Sequence, residues 1–134
     1  FYQTNKAIQS GAPAVKDGGI LIVVSECRYG LGENQTVFDT LAAVDSPQRA
    51  LGEAGVREYE LGVQQATRIA SILEKVDIWV VSALEDVEVA AMFMTPFADV
   101  QTAVDVALAR KGAEAQVLFL TEASITGPRV AGGR

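Results

Sequence analysis

The stretch Gly18-Gly19-Ile20-Leu21-Ile22-Val23-Val24-Ser25, followed by the loop Glu26-Cys27-Arg28-Tyr29-Gly30-Leu31-Gly32, decides the fold class. The aliphatic run is unbroken and mostly β-branched, with glycines on both sides. This is how a strand buried on both faces reads, typically one in a parallel sheet covered by helices. In open parallel sheets ligands bind outside the carboxyl ends of the strands, which places the loop 26–32 where chemistry is expected.

Working outward, the rest of the chain repeats the alternation. A short helix, Tyr2 to Gly11, precedes the run. Helical spacing recurs over Asn34–Val44, with Val37, Leu41 and Val44 on one side and Phe38 beside them. It recurs in a helix begun by Ser46-Pro47 and ending near Gly55, where Ser46 caps and Pro47 takes the first helical position. The longest pattern is Leu61 to Lys75, with Val63, Ala66, Ile69, Ala70 and Leu73 at three- and four-residue spacing. Val76–Ser82 reads as a second strand carrying the single Trp79. Glu85–Ala91 reads as a short helix, Met92–Met94 as a candidate extra strand and Thr95-Pro96-Phe97 as extended. Asp99 caps a helix over Val100–Lys111, with Val104, Ala107 and Leu108 inward and Gly112 as its stop. Ala115–Leu120 reads as the third strand. The expectation is an α/β fold, a layered, mostly parallel small β-sheet flanked by helices, forming a single domain over 1–134.

Composition removes several function classes. The 134 residues suit one domain with a modest core. The formal charge of −6 argues against nucleic acid and anionic membranes as partners, because phosphate contacts need clustered Lys and Arg. No apolar run is long enough to cross a bilayer, and no export signal is visible. One cysteine excludes an internal disulfide, so a cytoplasmic setting is the expectation. There is no histidine, which removes the commonest general base and the commonest transition-metal ligand. The first residue, Phe1, and the tail Val130–Arg134 read as the edges of a piece cut from a longer protein.

Candidate site residues are sparse. Gln3 and Lys6 are three apart and so lie side by side on the first helix; the plain alternative is a solvated surface lysine. Gly30-x-Gly32 lacks the further glycine of a dinucleotide fingerprint and the Gly-Lys-Ser/Thr of a phosphate loop, which leaves a tight strand-to-helix turn. Cys27 reads as a half-buried small residue, since no histidine is present to activate it. Gln64 and Gln65 fit either a solvated surface or amides bonded to a neighbouring loop. The acid pairs Glu85/Asp86 and Glu58/Glu60 read as solvated charges without the apolar setting that shifts a carboxyl pKa.

Taken as an ordered set, Tyr2-Gln3-x-x-Lys6, Val15-x-x-Gly18-Gly19, Glu26-Cys27-x-x-Gly30-x-Gly32, Ser46-Pro47, Leu61-Gly62-x-Gln64-x-Ala66 and Thr95-Pro96 resemble the C-terminal domain of the nickel-dependent lactate racemases. That family also holds related 2-hydroxyacid racemases and epimerases. No piece is diagnostic alone, but together they cover nearly the whole chain. The resemblance implies a lid domain closing over a reaction centre in a missing N-terminal catalytic domain. There a lysine would carry the nickel-pincer nucleotide (nickel pyridinium bisthiocarboxylate mononucleotide), and histidines would ligate nickel and move the proton. It implies that Gln3 and Lys6, with Tyr2 supporting, reach a small 2-hydroxy acid, and that a hydride leaves and returns at the α-carbon. No catalytic or metal-binding residue, and no bound cofactor, is expected in this chain by itself. The competing reading is a non-catalytic α/β ligand-binding or interaction module of the same fold.

Overall fold

In a computed structural model, residues 1–54, 61–129 and 131 are described, with the side chains of 53 and 54 excepted. The helix boundary near Gly55, the Glu58/Glu60 pair and most of the tail after Arg129 lie outside the described residues. Among the described residues six α-helices and three strands follow in order: α1 Tyr2–Gly11, β1 Ile20–Val24, α2 Gln35–Ala42, α3 Pro47–Ala54, α4 Leu61–Leu73, β2 Asp77–Val81, α5 Asp86–Ala91, β3 Thr95–Phe97 and α6 Val100–Lys111. The sheet is parallel throughout, in the order β1-β2-β3, with Leu21 opposite Ile78 and Val23 opposite Val80. The expected α/β layering is therefore present.

Strand alternation divides the sheet into two faces. Ile78 and Val80 join Leu21 and Val23 on the face that meets Ile8 of α1, Val37 and Leu41 of α2 and Ala66, Ile69 and Ala70 of α4 in one continuous core. Trp79 points the other way and stacks on Phe97, with ring centroids 4.8 Å apart. That second face is covered by α6, whose Arg110 pairs with Asp77 at 3.1 Å and whose Lys111 donates to the Gly18 carbonyl.

Several expectations need correction. The strand buried on both faces is β2, in which Ile78, Trp79 and Val80 are all buried. β1 is an edge, with Val23 its one buried residue and Val24 57% exposed. Its continuous aliphatic run reflects a face that a single helix, α6, only partly covers. Ala115–Leu120 forms no strand, and Val117, Leu118 and Phe119 are 52, 63 and 75% exposed. The third strand is Thr95–Phe97. The last turn of α6 is tied to Gly18 and Asp77 at the amino ends of β1 and β2, and the chain beyond it runs on exposed without pairing with the free edge of β1. Met92–Met94 adds no strand either: Met92 closes α5, Phe93 takes a left-handed φ of 62°, and the buried Met94 leads into β3. In α6 the seated residue is Ala103, while Leu108 is exposed.

The caps follow the sequence reading. The Arg49 amide donates to Ser46 Oγ at 3.3 Å, and Gly112 stops α6 with φ 86°. Asp99 accepts from the Thr102 amide at 2.7 Å and from its hydroxyl at 2.8 Å. The backbone bond, then the hydroxyl bond, hold the Asp99 carboxyl below the usual carboxylate range. A carboxyl with a lowered folded pKa contributes stability above its unfolded pKa and loses it as pH falls through the folded one. Asp99→Ala should therefore melt below wild type at neutral pH. The gap should narrow as acidification protonates Asp99, as thermal midpoints measured across pH will record.

Helices α2 and α4 meet at a glycine. A Cβ on Gly62 would stand 2.5 Å from Thr36 Cβ and 2.7 Å from its Cγ2. Alanine is the better helix former by about 1 kcal/mol, but overpacking typically costs about 1–3 kcal/mol. Gly62→Ala should consequently lower stability in urea unfolding. A double-mutant cycle with Thr36→Gly should show favourable coupling between the two changes.

Candidate functional site

Helices α1 and α4 both start near the carboxyl edge of the sheet and run side by side toward its amino edge. Between them lies a cleft of about 200 Å³. Helix α1 contributes Tyr2, Asn5, Lys6 and Gln9, which are successive positions on one helical face. Helix α4 contributes Leu61, Gln64, Gln65 and Arg68 by the same spacing. The adjoining inward faces of both helices carry the core residues Ile8, Ala66 and Ile69, so the polar rows are held in place by the apolar burial beside them.

Of the sequence-predicted residues, Tyr2 and Lys6 are brought together. The Lys6 ammonium lies 4.5 Å from the centroid of the Tyr2 ring, a cation–π contact that steadies a long side chain. Gln3 is exposed and is not among the walls of the cleft. Gln64 and Gln65 are both on the wall. Arg68 was missed by sequence reasoning, although its place one turn after Gln64 and Gln65 in an amphipathic helix was a readable signal. Its Nη1 donates to Gln9 Oε1 at 3.3 Å, and Gln9 Nε2 donates to Asn5 Oδ1 at 2.9 Å. Among the described residues the cleft wall includes no carboxylate, and neither Lys6 nor Arg68 forms an ion pair.

The loop 26–32 lies beneath the start of α1 and does not form the cleft wall. Cys27 adopts a left-handed φ of 50° and is buried, its Sγ 3.3 Å from the Thr4 hydroxyl and 3.6 Å from Ser25 Oγ. The Phe1 nitrogen donates to the Gly30 carbonyl at 3.2 Å. Thr4 is 1% exposed, so these bonds pin the first turn of α1, which carries Tyr2 and Lys6, onto the carboxyl end of β1. Glu26 and Arg28 pair with each other at 3.1 Å in the open. Glu85 and Asp86 are exposed at the start of α5, where Glu85 and Glu88 form a capping box.

With that geometry in hand, the comparisons decide the family. The model of the lactate racemase C-terminal domain matches residues 1–125. The chain belongs to this family. Among solved structures, the chain is similar to the lactate racemase apoprotein from Thermoanaerobacterium thermosaccharolyticum, at 28% identity and a TM-score of 0.73. The match covers 81% of this chain and 27% of that one, so the chain spans about a quarter of its relative's length. No curated protein matches. No helix among the described residues is long and apolar enough to cross a membrane.

If the Thr4–Cys27 contact fixes the start of α1, Thr4→Val should cost about 1 kcal/mol, the usual worth of one intramolecular hydrogen bond. The denaturation midpoint should fall with no change in slope, which separates a lost bond from a changed denatured state.

Proposed function

We propose that this domain is the substrate-facing lid of a racemase or epimerase of lactate or a related 2-hydroxy acid. Its α1–α4 cleft closes over a reaction centre held by the N-terminal domain. The observation that carries the reading is the pairing of family membership with a cleft built around Lys6 whose wall includes no carboxylate among the described residues. A 2-hydroxy acid is an anion in neutral water, and an ammonium beside amide donors binds a carboxylate through charge-assisted hydrogen bonds. Lys6 is the principal contact, Tyr2 braces it, and Gln3 reaches the substrate from the rim once the domains close.

The nickel-pincer nucleotide does not fit residues of this chain. The chain has no histidine, its single thiol is buried against Thr4, and no cluster of His, Cys, Asp or Glu suited to a metal occurs among the described residues. In this proposal the cofactor sits on the N-terminal domain and supplies the hydride acceptor there. The work of this chain is to bind the carboxylate, orient the α-carbon and exclude water on closure. A cytoplasmic location, as expected for a protein with one thiol and no disulfide, belongs to the same proposal.

Lys6 is exposed, so its truncation should leave the fold intact. In the intact protein, Lys6→Ala should lower kcat/KM for the 2-hydroxy acid by roughly 10- to 100-fold or more, as loss of a hydrogen bond to a charged group predicts, with an unchanged melting curve. Unaltered kinetics would remove Lys6, and with it this reading of the cleft.

A further inference from the structure

Resting on that reading, we infer that the α1–α4 cleft binds a 2-hydroxy acid with two carboxylates, Lys6 taking one and Arg68 the other. Arginine only donates, so its bond to Gln9 requires the Gln9 carbonyl oxygen to face it. The Gln9 amide NH2 then points to Asn5, whose Oδ1 accepts it. Asn5 is 1% exposed, and this fixes the root of the relay in the protein interior. The guanidinium is thus held through Gln9, with one of its five N–H groups used in that bond. The rest form a fork suited to a second carboxylate.

Spacing supports a short diacid. The Lys6 ammonium lies over the Tyr2 ring and the Arg68 guanidinium bonds Gln9, positions seven residues apart on α1, a rise of about 10.5 Å along the helix that a short diacid with a hydrogen bond at each end can span. Two cations of long reach thus enter one cleft of about 200 Å³ from its two ends. Among the described residues no acid on the wall offsets them, in a chain whose formal charge is −6. A single carboxylate meets one of these cations and leaves the other unneutralised; a four-carbon hydroxy diacid meets both.

The test is made on the intact protein with malate against lactate. Wild type is expected to have the higher kcat/KM for malate. Arg68→Gln should lower the malate-to-lactate ratio of kcat/KM by about 10- to 100-fold, mostly through KM for malate, and Arg68→Lys should recover part of it. Calorimetric titration of the apoprotein should show malonate binding more tightly than acetate in wild type, with the difference lost in Arg68→Gln. A wild-type preference for lactate, or a ratio that Arg68→Gln leaves unmoved, overturns the inference, and so does an Arg68→Gln variant that loses retention of the nucleotide while its ratio stays. Lys6→Ala separates the two levels. If it depresses both acids while Arg68→Gln spares the ratio, only the diacid fails; if it depresses neither, the cleft reading itself fails.

Discussion

The cleft exists because α1 and α4 are seated side by side on one face of the sheet. Ile8 of α1 and Ile69 of α4 are both fully buried, in a core continuous with Ile78 and Val80 of the central strand. Each such side chain contributes about 1.5–3 kcal/mol on burial. The polar rows follow from helical geometry once these anchors are in place. Residues 2, 5, 6 and 9 must share a face, as must 61, 64, 65 and 68. A shift of either helix by one residue would turn Lys6 or Arg68 away from the cleft.

Polar contacts refine what the apolar seat positions. Thr4 and Asn5 are neighbours on α1, both 1% exposed, yet they act in different directions. Thr4 reaches down to Cys27 and ties the helix start to the loop after β1. Asn5 reaches along the helix to Gln9 and through it to Arg68. Burying a hydroxyl or an amide is costly unless it is bonded, so both residues are held to these orientations. The left-handed Cys27 brings the loop close enough for the Thr4 bond to form.

Helix positions, caps and the existence of the first two strands were legible in the sequence because they rest on local periodicity and side-chain chemistry. Ser46, Asp99 and Gly112 act within one turn of themselves. The identity of the third strand was not legible. Ala115–Leu120 has the better strand composition, but composition does not say whether a segment finds a neighbour, and it is Thr95–Phe97 that pairs with β2. The edge position of β1 was hidden for the same reason: an aliphatic run records what a strand tolerates, not how many neighbours it has. At the site, Lys6 was read beside Gln3 at i and i+3 on one helix, and Tyr2 joined them only through the family resemblance; Tyr2 and Lys6 line the cleft and Gln3 does not. Arg68, more than fifty residues further on, was hidden because its partner Gln9 belongs to another element.

Exposure of the cleft also bears on how it would act. Tyr2 is 42% and Leu61 71% exposed, so apolar surface borders the two cations. A unit charge pair at 4 Å is worth about 1 kcal/mol in water and about 4 kcal/mol at the effective dielectric constant near 20 of a covered protein site. Open to solvent, Lys6 and Arg68 attract anions only weakly. Covering Tyr2 and Leu61 with a second surface removes apolar area from water and raises the value of each cation toward a carboxylate in the same movement. In the proposed lid, closure and anion binding would thereby be coupled: an anion bound only in the covered state favours that state in proportion to the difference in affinity.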